Sequence, residues 1–298
     1  MTVLCMFVGL VALGAPIELA LIFAAIAPAT APAPVVDVTQ QLNAKGPFTD
    51  TLLGIVAVDD AWGMLLFSVL LVVASIFAGN GDSMQMLYLG IWEISGAILL
   101  GIVIGFPMAY LTSHLYPGKS SQAEVLGLVL LCAGLAEWLH VSYILSAMVM
   151  GIIVANFTRH HRQRAFKEIQ ALEWPLLILF FLLAGASLQL NALFEVSLLG
   201  MGYIVFRIAG RLSGSYFGAK WAGCSGQQYH WMGLAMLPHA GIPIGMALLA
   251  IHHFPGYQSI ILAVILGSTV IFELIGPSLT RMMLMRSGET SENSNNEA

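Results

Sequence analysis

Apolar runs long enough to cross a lipid bilayer follow one another along almost the whole chain, as in "TLLGIVAVDDAWGMLLFSVLLVVASIFAG" over residues 51–79. Such runs, roughly 17 to 30 residues each, suit spanning helices; strands of a membrane barrel would be about 10 residues with alternating polarity. Hydrophobic residues make up 58% of the 298 positions and charged residues only 9%, and mean hydropathy is +0.87. A soluble domain of this length needs far more charge to cover its surface. The sequence therefore predicts an all-α polytopic membrane protein. It assigns one membrane domain to residues 1–285 and a short disordered cytoplasmic tail to 286–298, where "SGETSENSNNEA" is predominantly polar. Cys5, Cys132 and Cys224 are far apart and match neither a disulfide framework nor a metal-ligand spacing. They read as small apolar fillers.

Hydropathy marks ten helices, near 2–14, 17–38, 48–78, 84–113, 122–138, 141–157, 173–190, 195–219, 230–252 and 257–285. The first segment has no basic stretch before it and runs straight into the second, unlike a cleaved signal peptide. Loop charge tests the count. Lys45, Lys119, Arg159, Arg162, Arg164, Lys167, Lys220, Arg281 and Arg286 all fall on one side of a ten-span chain. The opposite loops carry no Lys or Arg. Positive loops stay inside, so that side is cytoplasmic and both chain ends lie there, in a cell (inner) membrane.

Two of the eleven basic residues, Arg207 and Arg211, lie instead within the eighth span. Asp59 and Asp60 lie within the third, about 17 Å along its axis at 1.5 Å per residue. A charge at that depth costs at least ~2.5–3.5 kcal/mol, so these positions point to an ion pathway with paired countercharges. Adjacent helical residues diverge by ~100°. One aspartate can face a cation while the other faces an ion-pair partner. Arg211 is the expected partner of the aspartate site; Arg207 could join it or pair with Glu195 or Glu273.

Two spans carry backbone breakers. "AIAPATAPAPVVD" contains Pro28, Pro32 and Pro34; "MLPHAGIPIGM" contains Pro238, Gly241 and Pro243. Proline removes an amide donor and clashes with the preceding turn, and freed carbonyls in a membrane survive only where they line a cavity or bind something. The order is break, acidic pair, then much later arginine and break. Paired interruptions in two halves are what an inverted-repeat transporter with crossed half-helices would show. Half-helix ends would then offset one another at the crossing.

These residues resemble the monovalent cation:proton antiporter family, in its bacterial sodium/proton exchanger branch with the Asp-Asp pair. The matching runs include "APATAPAPVV", "KGPFTDTLLGIVAVDDAWG", "GLAEWLHVSYILSAMVMGIIVANF", "FFLLAGASLQL", "FRIAGRLSGSYFGAKWAG" and "ELIGPSLTRMML". The resemblance implies an inverted-repeat antiporter fold whose core, with two crossed unwound helices, moves against a dimerisation domain. It implies Asp60 as the cation and proton carrier, Asp59 as the partner of a basic residue at Arg211, and Thr30 as a lining residue of the site. Its partners would be the transported Na+, K+ or Li+ and H+, the bilayer, and a second copy in the full-length form, with no cofactor and no nucleic acid. This branch usually has lysine where this chain has Arg211, and arginine cannot give up its proton. Family members commonly have about thirteen helices, so three are expected to be missing ahead of residue 1.

Competing readings are weaker. An intramembrane aspartyl protease needs two carboxylates from different helices sharing a proton, which neighbours on one helix cannot do; the chain reads as a transporter and not an enzyme. A sodium-coupled symporter of small solutes, the alternative, would want Asn, Gln and Ser at the breaks, where this sequence has Ala, Pro and Gly. His239, inside the second break, reads as a group satisfying loose carbonyls or as a pH sensor.

Overall fold

The structure, a computed structural model, describes residues 1–78, 83–114, 121–158, 197–224, 226–239 and 241–290, with positions 175, 178, 179 and 182. Every described element is helical. Two compact units emerge, one of residues 1–78 and 187–298, the other of 79–186.

Proline and glycine decide where the helices of the first unit stop. After α1 (Thr2–Ala12), α2 (Ile17–Ile26) opens directly behind Pro16 and ends just before Pro28. The chain is non-helical to Ala31, and α3 (Pro32–Gln41) then starts on a proline, where a missing amide costs nothing. The expected second span, 17–38, is thus two half-helices. Gly46 precedes α4 (Pro47–Phe77), an uninterrupted 31-residue helix carrying both aspartates.

Later in the same unit comes α8 (Ser197–Trp221), which carries both buried arginines. A 3-10 turn at Gln227–Trp231 leads into the four-residue α9 (Met232–Ala235), and after a second break comes α10 (Gly241–His253). The last helix, α11 (Gln258–Ser287), runs through Pro277 and stops at Gly288, whose φ of 77° is left-handed. A cluster of Val35, Phe48, Leu52, Val56, Ala235 and Leu284 joins α3, α4, α9 and α11. Burying that many large side chains is what holds short half-helices that could not persist alone.

The second unit holds α5 (Ser83–His114), α6 (Ser121–Trp138) and α7 (Tyr143–Phe157). Gly96, Gly101 and Gly105 of α5 face Val141, Val149 and Ile153, a seam of small residues that lets helices approach closely. Ser142 caps α7 by accepting from the Leu145 amide at 3.3 Å.

Three described stretches are long and apolar enough to cross a membrane by themselves: Pro47–Phe77, Ile91–Leu111 and Pro255–Ser287. α1, α2, α7 and α10 are apolar but only 10–17 residues long. Most of the expected span 173–190, Glu195 and the basic cluster at 159–167 lie outside the described residues. The polar tail was expected from 286; helix continues to Ser287, residues to Thr290 are described, and 291–298 lie outside.

Candidate functional site

Where α2 gives way to α3, and α9 to α10, the two breaks touch. The Ala31 amide donates to the Pro238 carbonyl at 2.9 Å, and the Thr30 hydroxyl lies 3.5 Å from the Met236 carbonyl. Each strand of unwound backbone thus supplies part of the other's missing hydrogen bonding.

The rest comes from α8, one face of which brings Arg207 and Arg211, four residues apart, into the crossing. Arg207 is fully buried. It donates from Nη1 to Ala27 O at 2.6 Å, and from Nη2 to Ala29 O at 2.9 Å and Leu237 O at 3.4 Å. Its guanidinium also lies over the Phe272 ring, 4.9 Å from the centroid. Arg211 Nη2 takes the carbonyl between, that of Pro28. Three successive carbonyls, 27 to 29, therefore end on guanidinium donors. They lie at and just beyond the C-terminal end of α2, whose dipole makes a cation favourable there.

Arg211 does a second task. The same Nη2 lies 2.6 Å from Thr30 Oγ1 and 2.9 Å from Asp59 Oδ2, and the Thr30 hydroxyl donates to that Oδ2 at 2.6 Å. Thr30 is fully buried, the Arg211 side chain is 6% exposed and that of Asp59 18%. Asp59 is thus paired and hydrogen-bonded, as a carboxylate at such depth must be. It keeps an opening on one side, towards a shallow open groove of about 390 Å³ on the face of α4 formed by Thr51, Gly54, Ile55, Val58, Asp59 and Trp62. The backbone of α8 at Arg211 is held close as well: a Cβ on Gly233 of α9 would meet the Arg211 carbonyl oxygen at 2.3 Å. Only glycine fits there.

The structure brings Thr30, Asp59 and Arg211 together and places Pro28 between α2 and α3. Pro32 opens α3, Pro238 lies in the second break, and Gly241 and Pro243 lie in the first turn of α10. Asp60 is the next residue of α4, and its side chain lies outside the described residues. Arg207 neither joins Asp59 nor pairs with Glu273, while Glu195, its other expected partner, lies outside the described residues. The arginine spends its donors on backbone carbonyls, with no salt bridge to Asp59 or Glu273 among the described residues. Break carbonyls need donors, and a second buried arginine four residues from the first was the available signal. His239 is fully buried, with Nδ1 3.4 Å from Thr269 Oγ1 and its ring against Tyr203 and Phe272.

A family model for the transmembrane part of sodium/hydrogen exchangers matches residues 1–286. The ammonium/H(+) antiporter subunit AmhT of Alkalihalophilus pseudofirmus is 24% identical over 251 residues, covering 82% of this chain and 63% of that protein. The Na(+)/H(+) antiporter NhaP of Pseudomonas aeruginosa is 26% identical over 176 residues, 57% of this chain and 41% of that protein. This chain therefore spans less than two thirds of either relative. The solved sodium proton antiporter MjNhaP1 from Methanocaldococcus jannaschii shares the fold, with a TM-score of 0.73 over 95% of this chain and 75% of that one, at 18% identity. These relatives are transporters by name, not enzymes. Matched along nearly its whole length, this membrane protein belongs to the sodium/hydrogen exchanger family.

Proposed function

We propose that the chain exchanges a monovalent cation for protons by alternating access, with cation and proton competing for Asp60. The observation that carries this reading is the binding of Asp59 by Arg211 and Thr30. That carboxylate is already neutralised by a guanidinium that cannot lose its proton. The exchangeable role is then left to the neighbouring acid on α4. A carboxylate takes a proton or a small hard cation through the same oxygens, not both, so a single group couples the two fluxes.

The crossing supports alternating access in a second way. Its two breaks are tied to each other and to α8 by hydrogen bonds, so they can move as one body around the ion. The breaks are built mainly of Ala, Pro and Gly, without the Asn, Gln and Ser that an organic solute would want, which disfavours the symporter alternative. Na+ is the first candidate, with K+ and Li+ behind it. One relative is named for ammonium and another for Na+, so all four cations belong in the assay. The C-terminal end of α11 faces the cytoplasm of an inner membrane, and the full-length chain works as a homodimer.

The test is cation-dependent dissipation of a pH gradient in everted vesicles. Asp60→Asn is expected to reduce exchange by more than a hundredfold with the protein still in the membrane. If the variant still dissipates the gradient on sodium or potassium addition, Asp60 is not the carrier.

A further inference from the structure

Glu289 lies just beyond the last helix, far in sequence from the aspartates, yet it holds the foot of the helix that carries them. Its Oε1 accepts from the Phe48 amide at 2.8 Å. Its Oε2 accepts from both the amide and the hydroxyl of Thr49, each at 2.8 Å. Its own carbonyl accepts from the Lys45 amide at 2.9 Å. The N-terminus of α4 has no side-chain cap of its own, since its cap residue is Gly46. A carboxylate from elsewhere in the chain thus satisfies its orphan amides and sits at the positive end of its dipole.

Two glycines make the contact possible. Gly288, at a φ of 77°, ends α11 and turns the chain towards α4. Gly46 leaves room for the carboxylate: a Cβ there would lie 2.3 Å from Glu289 Cδ. Higher up, α11 also braces the second break. The Thr280 hydroxyl donates to Ala235 O at 2.9 Å, and Gly276 packs on Pro238, with a Cβ there only 2.8 Å from Pro238 Cα. One helix therefore spans from the crossing to the foot of α4.

We propose that Glu289 is a positioning residue for exchange: by clamping the first turn of α4 to the end of α11 it fixes the tilt and height of the Asp59–Asp60 pair against the crossing. Asp59 is twelve residues beyond Pro47, about 18 Å up the helix axis. A small rotation at the foot therefore displaces the pair from Thr30 and Arg211. This inference rests on the exchange reading above, because it is the ion site that the clamp positions.

The test combines amide hydrogen exchange on the purified chain with cation–proton exchange in proteoliposomes, for Glu289→Ala, Glu289→Asp and Gly46→Ala. In Glu289→Ala, amide exchange is expected to rise about tenfold at residues 48–50 and measurably in the peptide containing Asp59. The half-saturating cation concentration is expected to rise about three- to tenfold, the scale of a lost helix cap, with the maximal rate within twofold of the parent. Gly46→Ala, which displaces the carboxylate without removing it, is expected to follow Glu289→Ala, and Glu289→Asp to recover part of the affinity. Unchanged exposure of the Asp59 peptide in Glu289→Ala would overturn the proposal. So would a fall in maximal rate and folded protein with unaltered half-saturation, which marks a merely structural role. If the parent chain moves no cation at all, the exchange reading fails instead, and the amide exchange still decides the clamp.

Discussion

Arginine at position 211, rather than lysine, fixes the charge arithmetic of the site. A lysine partnered with Asp59 could release its proton when desolvated and add to the count carried per cycle; Arg211 keeps its charge throughout. On the mechanism proposed above, Asp60 is then the one exchangeable group beside it, and each half-cycle would carry either one cation or one proton on that carboxylate. Exchange is therefore expected to be one-for-one and electroneutral. In proteoliposomes clamped with potassium and valinomycin, the sodium-driven rate should not change between zero and −100 mV. A severalfold dependence on potential would mean that a second proton moves. Thr30 could be suspected from sequence only through the family resemblance. Its hydroxyl is bonded to Asp59, 29 residues away, a contact no local pattern encodes.

At the scale of elements, the two half-helix pairs depend on α8 for their stability. Arg207→Met would remove the donors for Ala27 O and Ala29 O in a buried place, at about 1–3 kcal/mol for each carbonyl left unpaired. A clear fall in the midpoint of thermal unfolding in detergent is expected, with partial recovery in Arg207→Lys, whose ammonium keeps donors at a single point but lacks the spread of the guanidinium fork. An unchanged midpoint would show that the carbonyls find other donors. The breaks themselves were legible because proline and glycine act locally: Pro28 and Pro32 bracket the end of α2 and the start of α3, and the second break falls between Ala235 and Gly241. Among the described residues, the ends of the unbroken helices such as α4, α5 and α7 were legible to within a few residues because hydropathy follows one solvent. What joins the elements was less so. Arg207 looked like a charge in need of an anion, yet the negative end of α2 serves it, and a sequence does not show which helix end a side chain will meet. Glu289 lay in a stretch whose composition suggested disorder, and only the fold brings it to the amides of Phe48 and Thr49.

For the molecule as a whole, the membrane character, the helical fold and the exchanger family agree with one another and with a pair of aspartates deep in α4. Everything specific about function then turns on a cation and a proton contending for one carboxylate. The most direct measurement is the half-saturating cation concentration of the purified full-length protein in proteoliposomes, taken across a series of pH values equal on both sides. Competition predicts that, on the acid side, half-saturation rises about tenfold for each unit fall in pH while the maximal rate reached at saturating cation stays constant. A half-saturation that does not change with pH, with acid lowering only the maximal rate, would contradict it.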